Sequence, residues 1–124
     1  MGEYQNKAVE LMRNRAGDKM LNNRIERREA FLRKALTLYQ AMGGSVDDMQ
    51  AAVKGAASTS APTIDVAVGD VMYKLAAIGH VADIDIIQAA YNKLDAANLH
   101  ILDRGKKLLK KQRDQKPAAA MTAK

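Results

Sequence analysis

Between Asn23 and Met42 the apolar residues recur at steps of three and four: Ile25, Phe31/Leu32, Ala35/Leu36, Tyr39 and Met42. Such spacing keeps side chains on one stripe of a helix and scatters them over both faces of a strand. No stretch of strand length alternates apolar and polar residues with period two. The pattern therefore predicts an all-α chain, and the remaining segments agree. Residues 3–15 place Tyr4, Ala8 and Leu11/Met12 on one face, and Gly17 closes that helix. Asn22 or Asn23 can cap the helix over 23–42, and Gly43-Gly44 stops it. Ser45-Val46-Asp47-Asp48 reads as a capping box with Asp in place of Glu, opening a short helix to about Lys54. The small, polar run 55–63 ends beside Pro62 and reads as a loop. Thr63 can cap a helix over Ile64–Ile78, whose apolar face is Val68, Val71/Met72 and Leu75. Asp83 can cap the last and longest helix, followed in step by Ile87, Ala90/Tyr91, Leu94, Ala97, Ile101 and Leu108. The expectation is a bundle of four to five helices forming one domain over 1–112. Residues 1–20 would be its N-terminal helix and 113–124 a basic, Ala-rich flexible tail.

Composition narrows the function classes. The 124 residues suit one small domain. Cysteine is absent, which removes disulfide scaffolds, thiolate zinc sites and thiol nucleophiles together. No apolar run approaches the ~18–20 residues of a membrane span. The N-terminus has no signal-peptide core, and Asn6 stands where N-myristoylation wants Ser or Thr. A cytoplasmic protein without a membrane partner is expected. The net charge is +6, but it is not spread evenly. Residues 104–124 carry eight basic residues against Asp114 alone, whereas 1–103 hold 12 basic and 13 acidic residues. Lys106, Lys107, Lys110, Lys111 and Arg113 could meet nucleic acid or another polyanion. A solvated helix end with Lys complementing the helix dipole explains the same residues. No aromatic residue interrupts the run, so the stacking signature of single-strand binders is missing.

Candidate chemistry is sparse. His80 and His100 lie twenty residues apart with no carboxylate or second His one turn away, so they read as surface residues, not metal ligands. Gly43-Gly44-Ser45 could hold a phosphate on free N–H groups, yet a glycine stop followed by a Ser cap accounts for it. No serine sits in a nucleophile elbow, and neither GxxxxGK[ST] nor GxGxxG occurs. The methionines within helices fall on apolar faces and read as core filler.

The segment NRIERREAFLRKALTLYQAMGGSVDDMQAAV, a loop containing Pro62, and then VAVGDVMYKLAAIGHVADIDI resembles the MazG-like all-α nucleoside triphosphate pyrophosphohydrolases of the short phage and prophage type. The likeness covers about residues 22–112, and its most specific elements are NRIER, GDVM and DID. It implies a MazG-like bundle topology and self-association as a dimer or higher oligomer, in host-cell cytoplasm if phage-encoded. In that family, carboxylates from EExxE on one helix and ExxD on the next converge on Mg²⁺. A hard, octahedral cation wants such oxygen ligands and bridges the triphosphate.

The departures decide the expected function. Arg33, Lys34 and Thr37 stand at the expected carboxylate positions of the first motif, and Ala67 replaces the Glu of the second. Only Asp70 remains. The resemblance then implies a pyrophosphohydrolase scaffold without catalytic residues or cofactor, serving to bind a nucleotide or a protein. Arg33 and Lys34, extended by Arg24 and Arg27, are the candidate phosphate or partner contacts. Solvated surface cations would look the same in sequence. Two alternatives stand beside this. One is an active enzyme with Mg²⁺ on a displaced set of Glu26, Glu29, Asp65 and Asp70; the other is a nucleic-acid-associated protein working through 104–116.

Overall fold

The computed structural model describes the backbone of residues 1–122 and the side chains of 1–100 and 104–113. Five helices follow one another: α1 (Glu3–Leu21), α2 (Arg24–Ala41), α3 (Val46–Ala57), α4 (Ile64–Ala82) and α5 (Ile86–Thr122). Among the described residues there is no strand, as the three-and-four spacing requires. No helix of the described residues is long and apolar enough to cross a membrane.

The punctuation is local chemistry. Gly17 breaks α1 with φ 83° and ψ 166°, and the chain resumes helix to Leu21, beyond the expected stop. Asn23 opens α2 by accepting the Glu26 N–H on its side chain. The end of α2 is a Schellman motif: the Gly44 N–H donates to the Tyr39 carbonyl and the Gly43 N–H to that of Gln40. Gly43 takes φ 92°, where a Cβ is penalised. At Gly44 the reason is space, since a Cβ there would lie 2.1 Å from the Tyr39 ring. Ser45 and Asp48 then cap α3 reciprocally, each side chain taking the other's backbone N–H.

Two expected caps are corrected. Thr63 flanks α4 without a side-chain cap bond. Its hydroxyl, with the Val66 N–H, instead holds the Asp65 carboxyl below the usual carboxylate range. Asp83 does not open α5; it ends α4 in the left-handed region at φ 55°. The α5 cap is Asp85, whose Oδ1 accepts the N–H groups of Ile87 and Gln88. Both acids precede the same apolar run, and α4 running on from Ile78 to Ala82 decides between them. The expected tail over 113–124 lies largely outside the residues whose side chains are described, while the α5 backbone is helical to Thr122.

The chain divides into two packed units. Unit 1 joins Met1–Leu11 to the chain from Ile84 onward, and its core is Ala8, Leu94 and Ala97. Tyr4 meets Tyr91 edge-on, ring centroids 5.5 Å apart at 75°. Lys7 holds Glu3 at 3.0 Å and lies over the Tyr91 ring. Unit 2, Met12–Asp83, holds α2, α3 and α4. Its innermost positions include Ala35, Leu38, Leu75 and Ile78, all half-buried, and the buried Gly79.

Candidate functional site

Within unit 2 a groove of about 390 Å³ runs along α2 and α4. Phe31, Ala35 and Leu38 supply its α2 side, one helical stripe at steps of four and three. Val71, Leu75 and Ile78 supply the α4 side by the same rule, and Asp70 and Lys74 stand beside them as its charged residues. The side chains around it are poorly covered: Phe31 is 56% exposed, Leu32 52%, Val68 56% and Met72 46%. Scattered exposed apolar residues are ordinary on a protein surface; a contiguous apolar face is not.

The four expected cations do not form one patch. At about 100° per residue, Arg24, Arg27 and Lys34 share one flank of α2 and Arg33 falls on another. There Arg33 Nη2 lies 3.3 Å from Glu26 Oε1, two turns back, so its charge is already partnered. Arg27 turns inward: its Nη1 reaches the Met12 sulfur at 3.6 Å, and its buried Nε has no hydrogen-bond partner among the described residues. Arg24 and Lys34 are exposed and make no ion pair among the described residues.

The displaced acid set is not assembled either. Among the described residues, no three His, Asp or Glu side chains lie together in an arrangement that could hold a metal ion. Glu26 is engaged by Arg33 and Glu29 by Arg28 at 3.2 Å. Asp65 is occupied at the start of α4 beside Thr63, and Asp70 sits five residues on, nearly half a turn around the helix. His80 and His100 are exposed on α4 and α5.

In unit 1, Arg104, Lys106, Lys107, Lys110, Lys111 and Arg113 are all exposed and cover roughly half the circumference of α5. Leu108 and Leu109 lie on the other half, also exposed.

Sequence reasoning placed Asp70 but missed Lys74, and put Phe31 on an apolar stripe without showing what covers it. The available signal was the Asp70–Lys74 spacing of one turn, next to an apolar stripe at 71, 75 and 78. Comparison of the chain with protein-family models, curated proteins and solved structures finds no match in any of the three.

Proposed function

We propose that this chain is a non-catalytic interaction protein built on a MazG-like pyrophosphohydrolase scaffold, and that it engages a protein partner along the α2–α4 face. The observation that carries the reading is the groove itself. An apolar floor from Phe31, Ala35, Leu38, Val71, Leu75 and Ile78 is bordered by the charges of Asp70 and Lys74. An apolar centre with a polar rim is how protein interfaces are built. The scaffold assignment is supported by the NRIER and GDVM motifs, which lie on or at the start of α2 and on α4. Loss of catalysis is supported by Arg33, Lys34, Thr37 and Ala67 at the positions where the resemblance implies metal-binding acids. Positive charge there opposes a divalent cation. A protein partner is favoured over a nucleotide because Glu26 partners Arg33 and Arg27 points to Met12, which leaves Arg24 and Lys34 for phosphate.

The test has two arms on the full chain. Pyrophosphate release from ribo- and deoxyribonucleoside triphosphates with Mg²⁺ or Mn²⁺ should stay at background; turnover near the ordinary enzyme range of ~1–10 s⁻¹ would overturn the reading. Thermal unfolding with the same triphosphates should not shift. Stabilisation that disappears in Lys34→Glu would move the function to nucleotide binding.

A second reading has its own observation, the exposed basic half of α5. Contact there with a polyanion would weaken steeply between low and moderate salt. A duplex DNA or RNA probe whose retention is insensitive to salt would exclude it.

A further inference from the structure

Beyond Ala97, every residue of α5 whose side chain is described, 98–100 and 104–113, is exposed. A helix in water draws most of its stability from packing an amphipathic face, and none of these residues is buried within unit 1. They are sorted by side all the same. The ten positions 104–113 hold six cations and no acid, and none of the six joins an ion pair among the described residues. At about 100° per residue, Leu108 and Leu109 share one half of the helix, with Gly105 and Gln112 between them. Arg104 and Lys111 flank Leu108 on one side, and Lys106 and Arg113 flank Leu109 on the other. Lys107 and Lys110 stand opposite the leucines. Leu108 is 61% exposed and Leu109 57%.

An apolar centre bracketed by cations selects among polyanions. A duplex nucleic acid takes up the cations and leaves both leucines in water. An anionic bilayer takes up both kinds of residue. The leucines enter the acyl boundary, while the lysine and arginine stems run along it and set their charges among the lipid phosphates. Clusters of about four to eight Lys or Arg on an amphipathic helix suit such lipids. The expectation of no membrane partner came from the lack of a spanning run, a signal core and a lipidation site. A helix lying in the plane of the surface needs none of them.

We infer that residues 104–113 of α5 form a docking surface for an anionic phospholipid bilayer, with Leu108 and Leu109 at the acyl boundary and the bracketing cations on the headgroup phosphates. This surface shares no residue with the α2–α4 face and stands independently of it.

The experiment mixes the full chain with vesicles of phosphatidylcholine, alone or with phosphatidylserine, and reads co-sedimentation. The wild type should bind the mixed vesicles at least about tenfold more tightly than the neutral ones, and lose that advantage as salt rises. Leu108→Gln with Leu109→Gln keeps every charge and should weaken binding to the mixed vesicles about tenfold. Both positions are exposed, and far-ultraviolet circular dichroism checks that this variant stays helical. The chain has no Trp, so Leu109→Trp supplies a single fluorescent reporter. Its emission should shift to the blue on mixed vesicles and stay unshifted with a duplex DNA probe. A wild type that ignores the mixed vesicles, or binds both kinds equally, overturns the inference. So does a double-leucine variant that binds as the wild type does, or an unshifted Leu109→Trp emission on mixed vesicles. Duplex DNA that holds the wild type and the double variant alike, while vesicles hold neither, overturns it in favour of nucleic acid.

Discussion

Asp70 and Lys74 stand one turn apart on α4 and flank the same apolar groove, yet no ion pair joins them. Their neighbours Val71, Leu75 and Ile78 face Phe31, Ala35 and Leu38 across that groove.

The Ser45–Asp48 capping box carries a dependence on pH. The Ser45 backbone N–H, and then its hydroxyl, hold the Asp48 carboxyl below its ordinary value of 3.8. A depressed carboxyl contributes stability in full above its unfolded value and loses it as the pH falls through the folded value. Stability of the wild-type chain should therefore decline as acid takes the pH below about 4, and Asp48→Asn should show a flatter decline. Ser45→Ala should cost roughly 0.5–2 kcal/mol at neutral pH by denaturant unfolding.

Gly44→Ala should destabilise by about 1–3 kcal/mol, the range for forced overpacking. The added Cβ would meet the Tyr39 ring at 2.1 Å and the Tyr39 carbonyl oxygen at 2.9 Å. Combining it with Tyr39→Leu should recover only part of the loss, because the carbonyl stays in place. Full recovery would show that the ring alone needs the glycine.

At the α4–α5 junction, Asp85→Ala should cost roughly 0.5–2 kcal/mol for the loss of a helix cap. Asp83→Gly should be neutral or stabilise by about 0.5–1 kcal/mol, since glycine enters the left-handed region more easily than aspartate. The opposite order in thermal unfolding would return the cap to Asp83.

In unit 1, the edge-on contact of Tyr4 with Tyr91 should appear as a coupling of about 0.5–1.5 kcal/mol in a double-mutant cycle with leucine at each position. Additive losses would mean that the start of α1 is not held against α5.

Much of the helix punctuation was legible in the sequence because it is settled within a turn. Asn23, Gly43-Gly44 and the Ser45–Asp48 box each act on a backbone group three to five residues away, and the residue type names the job. The α4–α5 junction was not legible, since Asp83 and Asp85 both have cap chemistry and the backbone path chooses between them. Phe31 shows a deeper limit. Helical spacing says that it shares a stripe with Ala35 and Leu38, but not whether that stripe is covered within the chain. Arg33 and Lys34 look like a paired patch in sequence, although consecutive residues point about 100° apart and one of them meets Glu26.

The central claim, in the form that the MazG-like resemblance implies, is that the α2–α4 face carries contact between copies of the chain. It is tested most directly by the molar mass of the full chain in solution, measured by light scattering for the wild type and for Phe31→Asp. Phe31 lines the groove and is more than half exposed, so a charge there disturbs a contact more than the fold. The wild-type chain should weigh at least about 27 kDa, twice its 13.5 kDa, and the variant should fall to the mass of one chain with its helicity intact. A wild-type chain at single-chain mass, or a Phe31→Asp chain that still associates fully, would contradict it.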